Sequence, residues 1–303
     1  MTQPHSVVTG GTGYVGRFIV EVLLEAGHRV TVMGRRAPAP DLFSRHVGYA
    51  PLSLEPEAVR EQGVPHCDNL VHCAFDHLPG RYRGGEGDDP QGFERRNRDG
   101  SLALFEEARQ CGAKRAVFLS TRAVYGTKAG GKTLGEDEPL EPETLYGVVK
   151  RDVEAGLSAM GTKEFITSSL RVTGVYGSAR AGGEHKWSAL FSQFLNGEAI
   201  EPRVATEVHG KDVAAAVRLM LEAPGAAISG QAFNVSDLLL DRRDLLAIVK
   251  EKAGREGLVL PERGDASAVN AMETGKLHSL GWVPGGWHLL EKSVTEMLAH
   301  GFT

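Results

Sequence analysis

Three observations predict an α/β chain with a doubly wound parallel sheet. Short β-branched runs alternate with amphipathic helical stretches up to about residue 177. A glycine-rich turn joins the first such run to the first helix, and the polar residues suited to chemistry stand where strands end.

The first strand is Ser6-Val7-Val8, which is short, apolar and β-branched. It runs into Thr9-Gly10-Gly11-Thr12-Gly13-Tyr14-Val15-Gly16. Val15, Phe18, Ile19, Val22 and Leu23 then recur at helical spacing, so a helix with one apolar face follows. Strand, glycine turn and helix together are the context a dinucleotide fingerprint requires. Glycines let the backbone approach a pyrophosphate, and the helix N-terminus offers it free N–H groups and a positive dipole end. Gly10, Thr12, Gly13, Tyr14, Val15 and Gly16 are therefore candidate cofactor contacts. A turn that binds nothing is the plainer alternative, and it explains the glycines less well.

The second strand, Arg29 to Met33, ends at Gly34-Arg35-Arg36. NAD sites place an acid here for the ribose 2′-hydroxyl, whereas a nearby Arg accommodates the 2′-phosphate of NADP. No acid ends this strand, so Arg35 and Arg36 favour NADP over NAD, against a reading as solvated loop charges.

Ala116-Val117-Phe118-Leu119 reads as a buried strand that delivers Ser120-Thr121 at its end. Tyr146 and Lys150 are one helical turn apart and share a face. An ordinary Tyr, with a pKa of about 10, is a poor base at neutral pH. A neighbouring ammonium favours the phenolate. Thr121 is suited to hold a substrate oxygen while Tyr146 moves its proton and Lys150 binds the nicotinamide ribose. Thr121, Tyr146 and Lys150 are the candidate catalytic residues.

These segments resemble the extended short-chain dehydrogenase/reductases, of the NAD-dependent epimerase/dehydratase type, over most of the chain. Thr9 to Gly16 resembles TGxxGxxG, and Val71-His72-Cys73-Ala74 resembles a fourth strand ending in HxAA. Asp89-Pro90 followed by Asn97 resembles DP…N, and Ser120 to Gly126 resembles SSxxVYG. Leu170 to Gly177 resembles LRxxxVYG, Val208 to Ala214 resembles VHVxDVA, and Leu280-Gly281-Trp282-Val283-Pro284 resembles LGWxP. The resemblance implies a Rossmann sheet with a smaller C-terminal substrate domain. Residues 1–171 with about 206–236 would bind the dinucleotide, and about 172–205 with 237–303 the substrate. It adds Cys73, Ala74, Phe75, Asn97 and Val172 as cofactor contacts, and a homodimer through the helix of Tyr146 and Lys150.

Departures from the family narrow the chemistry. Arg122 and Ala123 replace the acidic pair of sugar-nucleotide dehydratases. Gly174 stands where epimerases often have Asn, and Ala205 where they often have Arg. Both usual side chains contact a nucleotide diphosphate, so UDP-sugars are disfavoured. Arg171, Arg180, Lys186 and Arg203 are the cations that could replace them.

The chain has 303 residues and a net charge of −5, with no basic stripe for nucleic acid. No apolar run approaches the roughly 18 residues of a membrane span. The short polar N-terminus leads directly into a strand, so no signal peptide and a cytoplasmic location are expected. Cys67, Cys73 and Cys111 lack metal spacing and read as reduced packing residues. The eleven histidines show no ligand pattern, so no metal is expected. His72 reads as a packed, hydrogen-bonded residue. Of two long loops, 77–93 is polar and glycine-rich and, following the fourth strand, suits a substrate lid rather than a bare linker, whereas 178–186 is rich in small residues. Arg81 and Arg180 of these loops, with Thr121 and Gly174, are the candidate substrate contacts. A third segment, 128–142, suits the pocket rim.

Three function classes fit: an NAD(P)-dependent enzyme of sugars or sugar nucleotides, a reductase or dehydrogenase of smaller carbonyls or alcohols, and a noncatalytic dinucleotide sensor. The presence of both Tyr146 and Lys150 argues against the sensor.

Overall fold

The computed structural model describes residues 3–78, 84–178 and 185–301. Strands β1 (His5–Thr9), β2 (Arg29–Gly34), β3 (Gly48–Pro51), β4 (Asn69–His72), β5 (Arg115–Thr121) and β6 (Ile166–Val172) come first in the chain. After β7 (Gly174–Tyr176) and β8 (Val204–His209) come β9 (Gln231–Val235) and β10 (Leu238–Asp241). Among the described residues, seven strands form one sheet in the order β3-β2-β1-β4-β5-β6-β9. Every pair in it is parallel. The predicted doubly wound Rossmann sheet is therefore present.

Helices α1 (Tyr14–Glu25), α2 (Pro56–Gln62), α3 (Pro90–Glu94), α4 (Gly100–Gln110) and α5 (Leu145–Ala159) connect the first six strands. Helices α6 (Ser188–Leu195), α7 (Gly210–Glu222), α8 (Gly225–Ile228), α9 (Arg242–Lys252), α10 (Gly275–His278) and α11 (Gly286–Gly301) follow. β4 is buried along its whole length, and β5 and β6 are buried throughout except at their ends. Helices cover both faces of the sheet, so even the polar residues of β4 and β6, such as His72, Ser168 and Arg171, are buried. One core packs Phe18, Ile19 and Leu23 of α1 against Val213 and Val217 of α7. The other packs Leu104 and Phe105 of α4 against Val149, Val153 and Leu157 of α5.

A second, smaller sheet has the order β10-β8-β7. Its core joins Tyr176, Trp187 and Phe191 to Leu246 of α9 and Val294 of α11. Two stretches cross the boundary drawn from sequence. β8 lies wholly in the small sheet. Leu277 and Trp282 pack into the core of α1 and α7, and the Trp282 indole donates to Asp212 O at 2.9 Å.

Among the described residues, no helix is long and apolar enough to cross a membrane. No group of three or more potential metal ligands occurs there either. His72 is buried, with Nδ1 2.6 Å from Thr9 Oγ1 and Nε2 2.8 Å from Ser101 Oγ. All three cysteines are free thiols, and burial pushes Cys67 and Cys73 up to about 12.

Candidate active site

The site lies where the parallel strands end. Gly10 ends the first strand with φ +66°, a conformation open to glycine, and a Cβ there would come within 2.8 Å of Ala74 N. A Cβ on Gly16 would collide with the Gly10 carbonyl. The two glycines let the turn fold tightly against the end of β4. Helix α1 begins after Gly13 with no side-chain cap and no acid in its first turn. Its N-terminal amides are thus available to an anion. That geometry fits the pyrophosphate of a dinucleotide.

Above the turn opens a cleft of about 1150 Å³. Gly10, Thr12, Gly13, Tyr14, Val15 and Gly16 line it, with Cys73, Ala74 and Phe75 beside them and Arg35 at one end. Thr121, Tyr146, Lys150, Val172 and Gly174 line it too. Most of the candidate residues therefore meet in one cavity. Tyr14 OH donates to Gly177 O at 2.5 Å, which ties the glycine turn to the residues following β7.

Local packing sets the helix of Tyr146 beside the turn that follows Thr121. Thr144 caps α5, its hydroxyl accepting from Gly147 N at 3.2 Å. Gly147 lets the helix approach the 3-10 turn Arg122–Tyr125, because a Cβ there would sit 2.7 Å from Ala123 O. Thr121 starts that turn and accepts from Ala123 N at 3.2 Å. The Tyr146 ring meets Phe75 edge-on, with centroids 5.1 Å apart.

Lys150 is only 4% exposed. Its Nζ donates to Leu119 O at 2.6 Å and lies 4.4 Å from the Phe118 ring centroid and 6.0 Å from that of Tyr146. Burial holds its pKa down at about 7, so near neutrality both the amine and the ammonium are populated.

Behind the site sits a buried polar cluster that sequence reasoning missed. Arg171 donates to Glu154 at 2.8 and 3.0 Å and to Tyr125 OH at 2.9 Å. Ser120 also donates to Glu154, and Tyr125 OH donates to Asn234 at 2.7 Å. Arg171 is thus committed to the interior and does not replace a diphosphate contact. The signal was present: an Arg inside a β-branched strand needs a buried acid.

Two expected cofactor residues do not line the cleft. Arg36 is exposed outside it. Asn97 is buried and clamps the backbone of Asp76, accepting from its N–H at 2.6 Å and donating to its C=O at 2.8 Å. Asp76 itself lines the cleft. It takes Arg96 at 2.7 Å and Arg35 at 3.6 Å. Its role was not legible because its partners come from the residue after β2 and from the 95–99 turn. Arg81 and Arg180 lie outside the described residues.

The far end of the cleft is walled by Arg122, Lys186, Arg203, Ala205, Glu207 and Asn270. Arg122 Nε donates to Asn270 O at 3.2 Å. The 128–142 segment supports this wall, with Asn270 donating to Ala129 O at 2.8 Å and Leu134 bridged to Met272. Lys186 donates to Glu207. Burial pushes the Glu207 carboxyl up, and the Lys186 ammonium opposes that shift.

Comparisons with known proteins agree with this geometry. The model of the NAD dependent epimerase/dehydratase family matches residues 6–236. A UDP-glucose 4-epimerase of Corynebacterium glutamicum is 30% identical over 181 residues, 57% of this chain and 52% of that protein. The chain thus spans about half the length of that relative. A D-erythronate dehydrogenase of Cupriavidus necator is 30% identical over 237 residues, 74% of this chain and 69% of that protein. The solved structure of Thermus thermophilus UDP-glucose 4-epimerase in complex with NAD is 28% identical, covers 98% of each chain and has a TM-score of 0.75. With its glycine turn, parallel sheet and family match in agreement, the chain belongs to the NAD dependent epimerase/dehydratase family and is an enzyme of the extended short-chain dehydrogenase/reductase type.

Proposed function

We propose that the protein is an NAD(P)-dependent dehydrogenase of a small polyhydroxylated substrate, such as a sugar acid or polyol. One observation carries this reading: Thr121, Tyr146 and Lys150 line the same cleft as the glycine turn. NAD(P) bound along that turn would supply hydride transfer at the substrate carbon. Thr121 holds the reacting oxygen by hydrogen bonding, and Tyr146 takes or returns its proton. The Lys150 ammonium and the Tyr146 phenolate stabilise each other, so a charge developing on Tyr146 draws a proton onto Lys150. Phe75 and Phe118 keep water from the Lys150 side of the site.

The small substrate follows from the cleft's far wall, where Gly174 and Ala205 offer a diphosphate no side-chain donor. The likeness to a dehydrogenase of D-erythronate, itself a small sugar acid, supports it. The second reading is a nucleotide-sugar 4-epimerase, favoured by the UDP-glucose 4-epimerase relatives and by the roominess of the cleft. Turnover separates the two. Incubation with NAD(P) and a panel of four- to six-carbon sugar acids should accumulate reduced nicotinamide, read at its absorbance band. Interconversion of UDP-glucose and UDP-galactose without such accumulation would establish the epimerase instead.

The cofactor proposal is NADP over NAD, resting on Arg35. Arg35, largely exposed, pairs with Asp76 at 3.6 Å, so that carboxylate competes with a 2′-phosphate for the guanidinium. Asp76→Asn should therefore raise NADP affinity, and Arg35→Ala should lower it while leaving NAD nearly unchanged. Fluorescence titration of both reduced cofactors checks this, and tighter wild-type binding of NADH than of NADPH would overturn it.

A further inference from the structure

Gly174 and Glu207 face each other across the β7–β8 ladder. A Cβ on Gly174 would come within 2.6 Å of Glu207 Oε2 and 2.8 Å of Lys186 Nζ. The missing side chain at 174 is therefore not empty space. An ion pair fills it, with Glu207 only 6% exposed and Lys186 joined to it.

The pair changes the charge of this wall. Lys186, Arg203 and Arg122 all line it, and Glu207 is the carboxylate set among them. An ammonium is a natural partner for a phosphate. Here Glu207 occupies that ammonium and sets a negative charge beside it. A diphosphate arriving at this wall would have to displace one carboxylate and lie against it, and like charges brought together this way act against the wrong ligand. A carboxylate has acceptor sites beyond the one used by Lys186, and hydroxyl groups can fill them.

We infer that Glu207, held by Lys186 in the space left by Gly174, is a specificity-determining residue that excludes diphosphate-bearing substrates and accepts hydrogen bonds from the hydroxyls of a small polyhydroxylated chain. The inference rests on the proposal that this cleft is the substrate site. The same wall explains both selections. Lys186 is neutralised toward phosphates, and the carboxylate remains available to hydroxyls.

The test is calorimetric titration of UDP into the protein saturated with whichever of NADP and NAD it binds more tightly, comparing wild type with Glu207→Gln. The amide keeps the shape of the side chain and removes the charge. The wild type should bind UDP weakly, and Glu207→Gln should bind it at least about tenfold tighter, because Lys186 becomes free for a charge-assisted contact. Adding Lys186→Met to that variant should erase the gain. A side chain that merely braced the sheet would produce no gain in UDP binding. Should Glu207→Gln fail to fold, Glu207→Asp retracts the carboxylate and should give a smaller gain of the same sign. Unchanged UDP affinity in a folded variant, or micromolar UDP binding by the wild type, overturns the inference. Turnover of sugar acids is read separately. If no sugar acid is oxidised yet Glu207→Gln gains UDP binding, the dehydrogenase reading fails with the hydroxyl-accepting role, and the exclusion of diphosphates by Glu207 stands.

Discussion

Tyr146→Phe is expected to lower turnover by roughly 10²–10⁴-fold, the usual contribution of a positioned proton-transfer group. Cofactor affinity should stay near that of the wild type. The ring is placed by the packing of Gly147 on Ala123 O and by its edge-on contact with Phe75. Phenylalanine keeps both features and removes only the hydroxyl. The wall of the cleft therefore survives, and the loss falls on proton transfer. Steady-state turnover measured beside a cofactor titration separates the two effects. Normal turnover by the variant would remove Tyr146 from the mechanism. Loss of cofactor binding in parallel would mean that the hydroxyl also holds the cofactor.

Glu154→Ala should destabilise the fold by about 3–5 kcal/mol, the cost of leaving one member of a buried ion pair without its partner. Arg171 is 5% exposed and would keep only Tyr125 OH and the Glu136 carbonyl as acceptors. Ser120, the neighbour of Thr121, would lose its acceptor as well. Thermal unfolding should shift downward by on the order of 10 °C for a chain of this size. Replacing the pair together, with Glu154→Leu and Arg171→Met, should recover much of the loss, since apolar substitutes of similar volume remove both desolvation penalties. An unfolding free energy for Glu154→Ala within about 1 kcal/mol of the wild type would show that the interior solvates Arg171 by another route.

Much of the site could be read from the chain because its motifs are local. The glycine turn spans Thr9 to Gly16, and Tyr146 and Lys150 share one helical face. A strand, a tight turn and a helix are short-range events, and their residues report on themselves. The errors lie where a role depends on distant partners. Asn97 was expected at the cofactor and instead clamps the backbone of Asp76, 21 positions away. Arg171 was a candidate for phosphate and instead pairs inside with Glu154. Lys150 was expected as an ammonium, and its burial between Phe75 and Phe118 lowers its pKa to about 7, so the neutral amine is populated beside it.

The sequence by itself determined the doubly wound sheet and the glycine turn, and it brought forward Thr121, Tyr146 and Lys150 as candidates that line one cleft. Those features follow from hydrophobic periodicity and from residues close along the chain. Only the tertiary structure decided what surrounds them. β7 and β8 must be placed in register before Glu207 faces Gly174, and Lys186 must reach across from 21 positions away to fill the gap. The chain leaving β4 must run beside the residue that follows β2 before Asp76 meets Arg35. Such pairings depend on which strands lie side by side and on how deeply each charge is buried. Sheet order and burial are properties of the folded chain as a whole, so no local pattern of residues announces them.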